Sequence, residues 1–126
     1  MKVIFFQVDD VLNFPESDAI APSGKMGIAD SKVKELKKLV TDSNVKIVLV
    51  GKWKKDWDFD DKKCTPDGVY LNKKLGRKGL HILDKTNDTL NDAEGISDWI
   101  TRHPNVTDYL VLTNLNEVEW QESRYI

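Results

Sequence analysis

Residues Lys2–Asn13, reading KVIFFQVDDVLN, constrain the fold more than any other stretch. The run is apolar through Val3, Ile4, Phe5, Phe6 and Val8, then breaks abruptly into Asp9 and Asp10. An unbroken apolar run has no face left for solvent. It therefore predicts a strand covered on both sides, as in a parallel sheet. The residues that follow it would stand at the carboxyl edge of that sheet, where open α/β folds place their sites.

The chain supports this reading further on. Phe14 to Gly27 carries Pro15, Pro22, Gly24 and Gly27, which is loop chemistry. Asp30 or Ser31 is a candidate helix cap, and Val33, Leu36, Leu39 and Val40 recur at helical spacing up to Ser43-Asn44. Val45–Val50 is a second β-branched strand. A strand, a helix and a strand joined this way predict a right-handed βαβ unit and a parallel sheet. Thr65-Pro66-Asp67-Gly68 reads as a turn, Asn72–Lys78 as a short helix stopped at Gly79, and Leu80–Leu83 as a third strand. Lys85–Asp92 reads as polar loop. Asn91 with Glu94 forms a capping box that opens a helix with Ile96, Trp99 and Ile100 inward, closed by His103-Pro104. Tyr109–Leu112 is a fourth strand, and Leu115–Ile126 carries no assignable pattern. Four strands with crossovers predict one α/β domain over residues 1–126 with helices on both faces of the sheet.

With 126 residues the chain holds one real core and not two. A net charge of −2 gives no global attraction to nucleic acid or to a membrane surface, and no stretch is long enough to span a bilayer. A lone Cys64 makes no internal disulfide, which with the absence of a leader-like segment points to the cytoplasm.

The opening stretch also resembles the first motif of the haloacid dehalogenase (HAD) superfamily, an apolar strand followed by Asp-x-Asp-Gly-Val/Thr. The strings KIVLVGKWKKDW and GISDWITRHPNVTDYLVL extend the likeness from Met1 to Asn116. It is closest to small members with little or no cap. The resemblance implies a three-layer Rossmann-like fold with strand order 4-1-2-3, and it implies a phosphotransfer site. That site would use an Asp nucleophile, an Asp acid/base, a hydroxyl after the second strand, a cation before the fourth, and a pair of acids after the fourth that hold Mg²⁺.

Almost none of these residues is present. Gln7 stands at the nucleophile position, and an amide cannot attack phosphorus. Asp9 matches the acid/base, while Asp10 replaces the glycine that lets the backbone approach a phosphate. Val50-Gly51-Lys52 brings no hydroxyl. Asn91-Asp92-Ala93-Glu94 brings no cation, and Thr113-Asn114 replaces the metal acids. Phosphoryl transfer rests on positioned charge, so these losses imply no phosphatase activity and weak or absent Mg²⁺ binding. The expected pocket is lined by Gln7, Asp10, Gly51, Thr113 and Asn114, and it is vacant or takes a neutral small molecule. It belongs to a natural pseudoenzyme or to a redesigned site.

A second class of function assigns Lys52 as an amine nucleophile. If burial lowers its pKa, it can form a Schiff base as in amine-dependent aldolases, with Asp9 or Asp10 moving protons. The plainer alternative is a solvated lysine beside Lys54 and Lys55. A third class makes Lys52–Asp61 a protein-interaction segment. Trp53 and Trp57, four apart, suit packing under a loop better than base stacking, because Asp56, Asp58, Asp60 and Asp61 cancel the local charge. Cys64 reads as an ordinary thiol, and His81 and His103 lack metal-ligand spacing.

Overall fold

The computed structural model describes residues 1–112 and the backbone of 120–122. Five strands form one sheet: β1 (Lys2–Phe6), β2 (Val45–Leu49), β3 (Ile82–Lys85), β4 (Asp108–Leu112) and β5 (Trp120–Glu122). Their order is β3-β2-β1-β4-β5. The first four are parallel, and they reproduce the 4-1-2-3 order with β1 central. β5 adds antiparallel to β4, within the segment that carries no readable pattern in sequence.

Three α-helices cover the sheet: α1 (Asp30–Leu39), α2 (Pro66–Gly76) and α3 (Asp92–Thr101). The alternation of side chains along β1 divides the core. Ile4, Phe6 and Val8 face α1 and α2, meeting Val33, Leu36, Leu71 and Leu75. Val3 and Phe5 face α3, meeting Ile96, Trp99 and Ile100. Phe5 meets Trp99 edge-on at 5.7 Å between ring centres, the favoured aromatic geometry. This two-sided burial is why the strand reads as an unbroken apolar run.

Several boundaries differ from the sequence reading: α2 runs Pro66–Gly76 rather than Asn72–Lys78, β3 extends to Lys85, and β4 starts at Asp108. Thr65-Pro66-Asp67-Gly68 starts α2 rather than forming a free turn. The Thr65 hydroxyl accepts from the Gly68 N–H and Pro66 occupies the first turn, where its missing N–H costs nothing. β3 begins at Ile82, because the Leu80 N–H is spent on the Leu75 carbonyl at the end of α2. The N-cap of α1 is Ala29, with no side-chain cap, and neither Asp30 nor Ser31 takes that role. Asn91 does cap α3, accepting from the Glu94 N–H at 2.9 Å.

The stretch after β1 contains a tight hairpin. Ile20 bridges Met26, and Ala21 N–H donates to the Lys25 carbonyl at 2.9 Å. Its tip is tied down by charge. The Lys25 ammonium lies 3.0 Å from Asp56, 3.4 Å from Asp67 and 4.0 Å above the Trp53 ring. Asp67 also accepts from the Ser23 N–H at 3.0 Å. Burial raises the Asp67 pKa, but the Ser23 hydrogen bonds and the Lys25 ammonium outweigh it and hold the carboxyl below its ordinary value.

Candidate functional site

Parallel pairing in register brings the ends of β1 and β2 together, so that Gln7 and Gly51 stand side by side at the carboxyl edge. A β-carbon built on Gly51 would lie 3.0 Å from the Gln7 β-carbon. The Gln7 carboxamide does not reach outward. Its Nε2 donates to the Asp9 carbonyl at 2.9 Å. The Gly51 N–H is also taken, by an Asp92 carboxylate oxygen at 3.1 Å. Asp92 opens α3, so the stretch where the family resemblance requires a cation instead brings an acid onto this amide.

Asp9 is half-buried. Its Oδ1 accepts from Asn13 Nδ2 at 2.9 Å and from the Trp53 indole N–H at 3.3 Å. Asn13 closes a loop on itself, since its own Oδ1 accepts from the Asp10 N–H at 2.9 Å. A helical turn, with Leu12 N–H donating to the Val8 carbonyl, sets this geometry. Asp10 is exposed and sits at φ +67°, the left-handed region. The backbone conformation that suits glycine is thus retained although the glycine is not.

Lys52 is exposed. It therefore lacks the burial that an amine nucleophile requires, and the plainer alternative fits its surroundings. The fold buries Lys54 instead, at 7% exposure. Its ammonium donates to Thr86 Oγ1 and to the Asn87 carbonyl, both at 3.1 Å. Thr113 and Asn114 lie outside the described residues. Among the pocket-lining expectations, the structure brings Gln7 and Gly51 into contact and places Asp10 in the turn beside them.

Trp53 and Trp57 are both buried, so neither presents a face for a base to stack on. Trp57 donates to Asn72 Oδ1 at 3.0 Å. Trp53 has a second role besides packing, as a donor to Asp9. Asn13 and Asp92 were also missed as site-shaping residues. Asn13 carried a readable signal: four residues after Asp9, it meets that side chain wherever the intervening turn is helical. Asp92 carried none, because its contact with Gly51 spans 41 residues.

The donor set among the described residues is poor for Mg²⁺. Among the described residues no three His, Cys, Asp or Glu side chains gather to hold a metal ion. The inward oxygen of Asp9 is already occupied by two donors. No helix among them is long and apolar enough to cross a membrane.

A family model described as the HAD domain in Swiss Army Knife RNA repair proteins matches residues 3–126. No curated protein and no solved structure matches the chain.

Proposed function

The chain belongs to the family of HAD domains found in Swiss Army Knife RNA repair proteins, and from that premise we propose that it keeps the fold of the family without its phosphotransfer chemistry. The observation that carries this reading is Gln7. A neutral amide occupies the end of β1, and it is bonded inward to the Asp9 backbone. Nothing at that position can form a phosphoenzyme.

The surrounding contacts support the same reading. Transition-state charge in phosphoryl transfer is stabilised by donors and cations left free for it. Here the Gly51 N–H serves a carboxylate of the same chain. Asp9 acts as the hub of a structural network with Asn13 and Trp53 rather than as a proton donor to a leaving group. The protein acts as a non-catalytic module, and its Mg²⁺ affinity is weak.

The test is a phosphatase assay with p-nitrophenyl phosphate and with RNA oligonucleotides carrying a 3′- or 5′-phosphate, with and without Mg²⁺. Phosphate release at the uncatalysed rate is the expected result. Mg²⁺-dependent release that disappears in Asp9→Asn would overturn the proposal.

A further inference from the structure

The net charge of −2 conceals a segregated surface. Residues 30–46 and 69–81 build α1, the start of β2 and most of α2, and run on to His81. They hold nine Lys and Arg against three Asp and Glu, while the rest of the chain holds ten against eighteen. All three carboxylates are engaged. Asp30 pairs with Lys74 at 3.1 Å and Glu35 with Lys32 at 3.8 Å, and Asp42 accepts from the Asn44 N–H at 2.7 Å. Lys37, Lys46, Lys73, Arg77 and Lys78 have no carboxylate partner among the described residues.

Part of this charge has a local cause. Lys37, Lys38, Lys73 and Lys74 lie in the last turns of α1 and α2, where the helix dipole favours cations. Arg77, the C-cap of α2, shares that cause, but it does not cover Lys46 on β2, Lys78 or His81. Three of the basic side chains converge. Lys37, Lys46 and His81 line one cavity of about 350 Å³, together with Thr41, Asp42 and Ser43. The Lys37 ammonium leans over Gly79, 3.8 Å from where a β-carbon would stand. The cavity opens at the amino edge of the sheet, at the opposite end of β2 from Gly51. His81 also borders a second cleft, but that one holds Asp58 and Asp61 beside Lys73, so the basic character belongs to the first cavity alone.

We infer that the first cavity is a phosphate-binding surface that takes the backbone of single-stranded RNA, independently of the Gln7–Asp9 site. Unpaired ammonium groups supply the sequence-independent attraction, and the Thr41 and Ser43 hydroxyls are of the kind that orient phosphate oxygens. The choice of RNA among polyanions rests on the family assignment. The existence of a polyanion site does not.

The experiment is fluorescence anisotropy of a labelled 20-nucleotide RNA with the 126-residue chain at 50 and 200 mM salt. Three phosphate contacts predict a slope of about −2 for log K against log salt, or roughly 20-fold weaker binding at the higher salt. The triple variant K37E/K46E/R77E loses at least 10-fold in affinity, whereas K37R/K46R retains binding. Lys37 and Arg77 are exposed and Lys46 is half-buried, and circular dichroism verifies that the variants fold. The triple variant K55E/K62E/K63E, at exposed lysines outside both cavities, changes net charge equally, serves as the control and leaves binding within about twofold. Equal affinity of wild type and K37E/K46E/R77E, or an equal loss in the control, overturns the inference. So does binding of inorganic phosphate alone, or binding of polyglutamate as tight as RNA, which would assign the face to a small anion or to an acidic protein. Because no outcome depends on phosphate release, failure here is distinct from failure of the non-catalytic reading.

Discussion

Asp10 and Lys54 show how single residues carry the local design. Asp10 holds a left-handed backbone at φ +67°, which costs an L-residue more than glycine. Asp10→Gly should stabilise the protein by about 0.5–1 kcal/mol in urea unfolding, while a β-branched Asp10→Val should destabilise it. Lys54 is a buried cation held by a hydroxyl and a carbonyl. Lys54→Ala removes two charge-assisted bonds and should cost about 2 kcal/mol in the same measurement. Gln7→Asp restores the nucleophile's carboxylate but neither a hydroxyl at Gly51 nor a cation near Asp92. Phosphate release should therefore stay at background, as read by the p-nitrophenyl phosphate assay. Such losses were legible in the sequence, because each is a residue type that cannot do the chemistry. The partners that now occupy Asp9 and the Gly51 amide were less so, since Trp53 lies 44 residues from Asp9.

At the scale of elements, the hairpin around Lys25 and the start of α2 are fastened through the same few groups. Asp67 has a lowered pKa in the folded state, so its contribution to stability is present above the unfolded-state value of about 3.9 and is lost as pH falls through the lower folded value. Urea melts between pH 6 and 2.5 should show stability falling on the acid side, and Asp67→Asn should flatten that fall. The first turn of α2 also depends on a close approach. A β-carbon on Gly68 would collide with the Asp56 carbonyl oxygen. Gly68→Ala should cost about 3 kcal/mol, at the upper end of overpacking, unless the turn shifts. Sequence reading placed α3 well, because its cap and apolar face are local signals. It misjudged the start of α2 because Thr-Pro-Asp-Gly suits a turn and a helix entrance equally. Only the packing of Leu71 and Leu75 against the sheet decides between them.

The whole molecule is organised around β1. Its partners on both sides, β2 and β4, come from sequence positions far apart, and two core clusters meet across it. Hydrogen exchange should accordingly find the β1 amides protected to the limit of global unfolding, with the short edge strand β3 exchanging sooner. The parallel order was legible because two-sided burial leaves a continuous apolar signature. β5 was not, since three edge residues leave no periodicity to read. Charge behaved differently again. The net value is a sum, and a sum discards position. Only after folding do the lysines of α1, α2 and β2 gather at one end of the sheet.

Gly51 stands at φ +83° and ψ −166°, a conformation open essentially to glycine alone, with the Gln7 β-carbon 3.0 Å from where a Gly51 β-carbon would stand. Regaining a hydroxyl there asks for more than one codon. A serine or threonine would have to be accompanied by a different path for the chain between β2 and the following 3-10 turn, and by a smaller neighbour than Gln7. Each step taken alone is penalised before any catalysis returns. Under the non-catalytic reading proposed above, the backbone itself obstructs a hydroxyl side chain at this position, while surface positions remain free to vary.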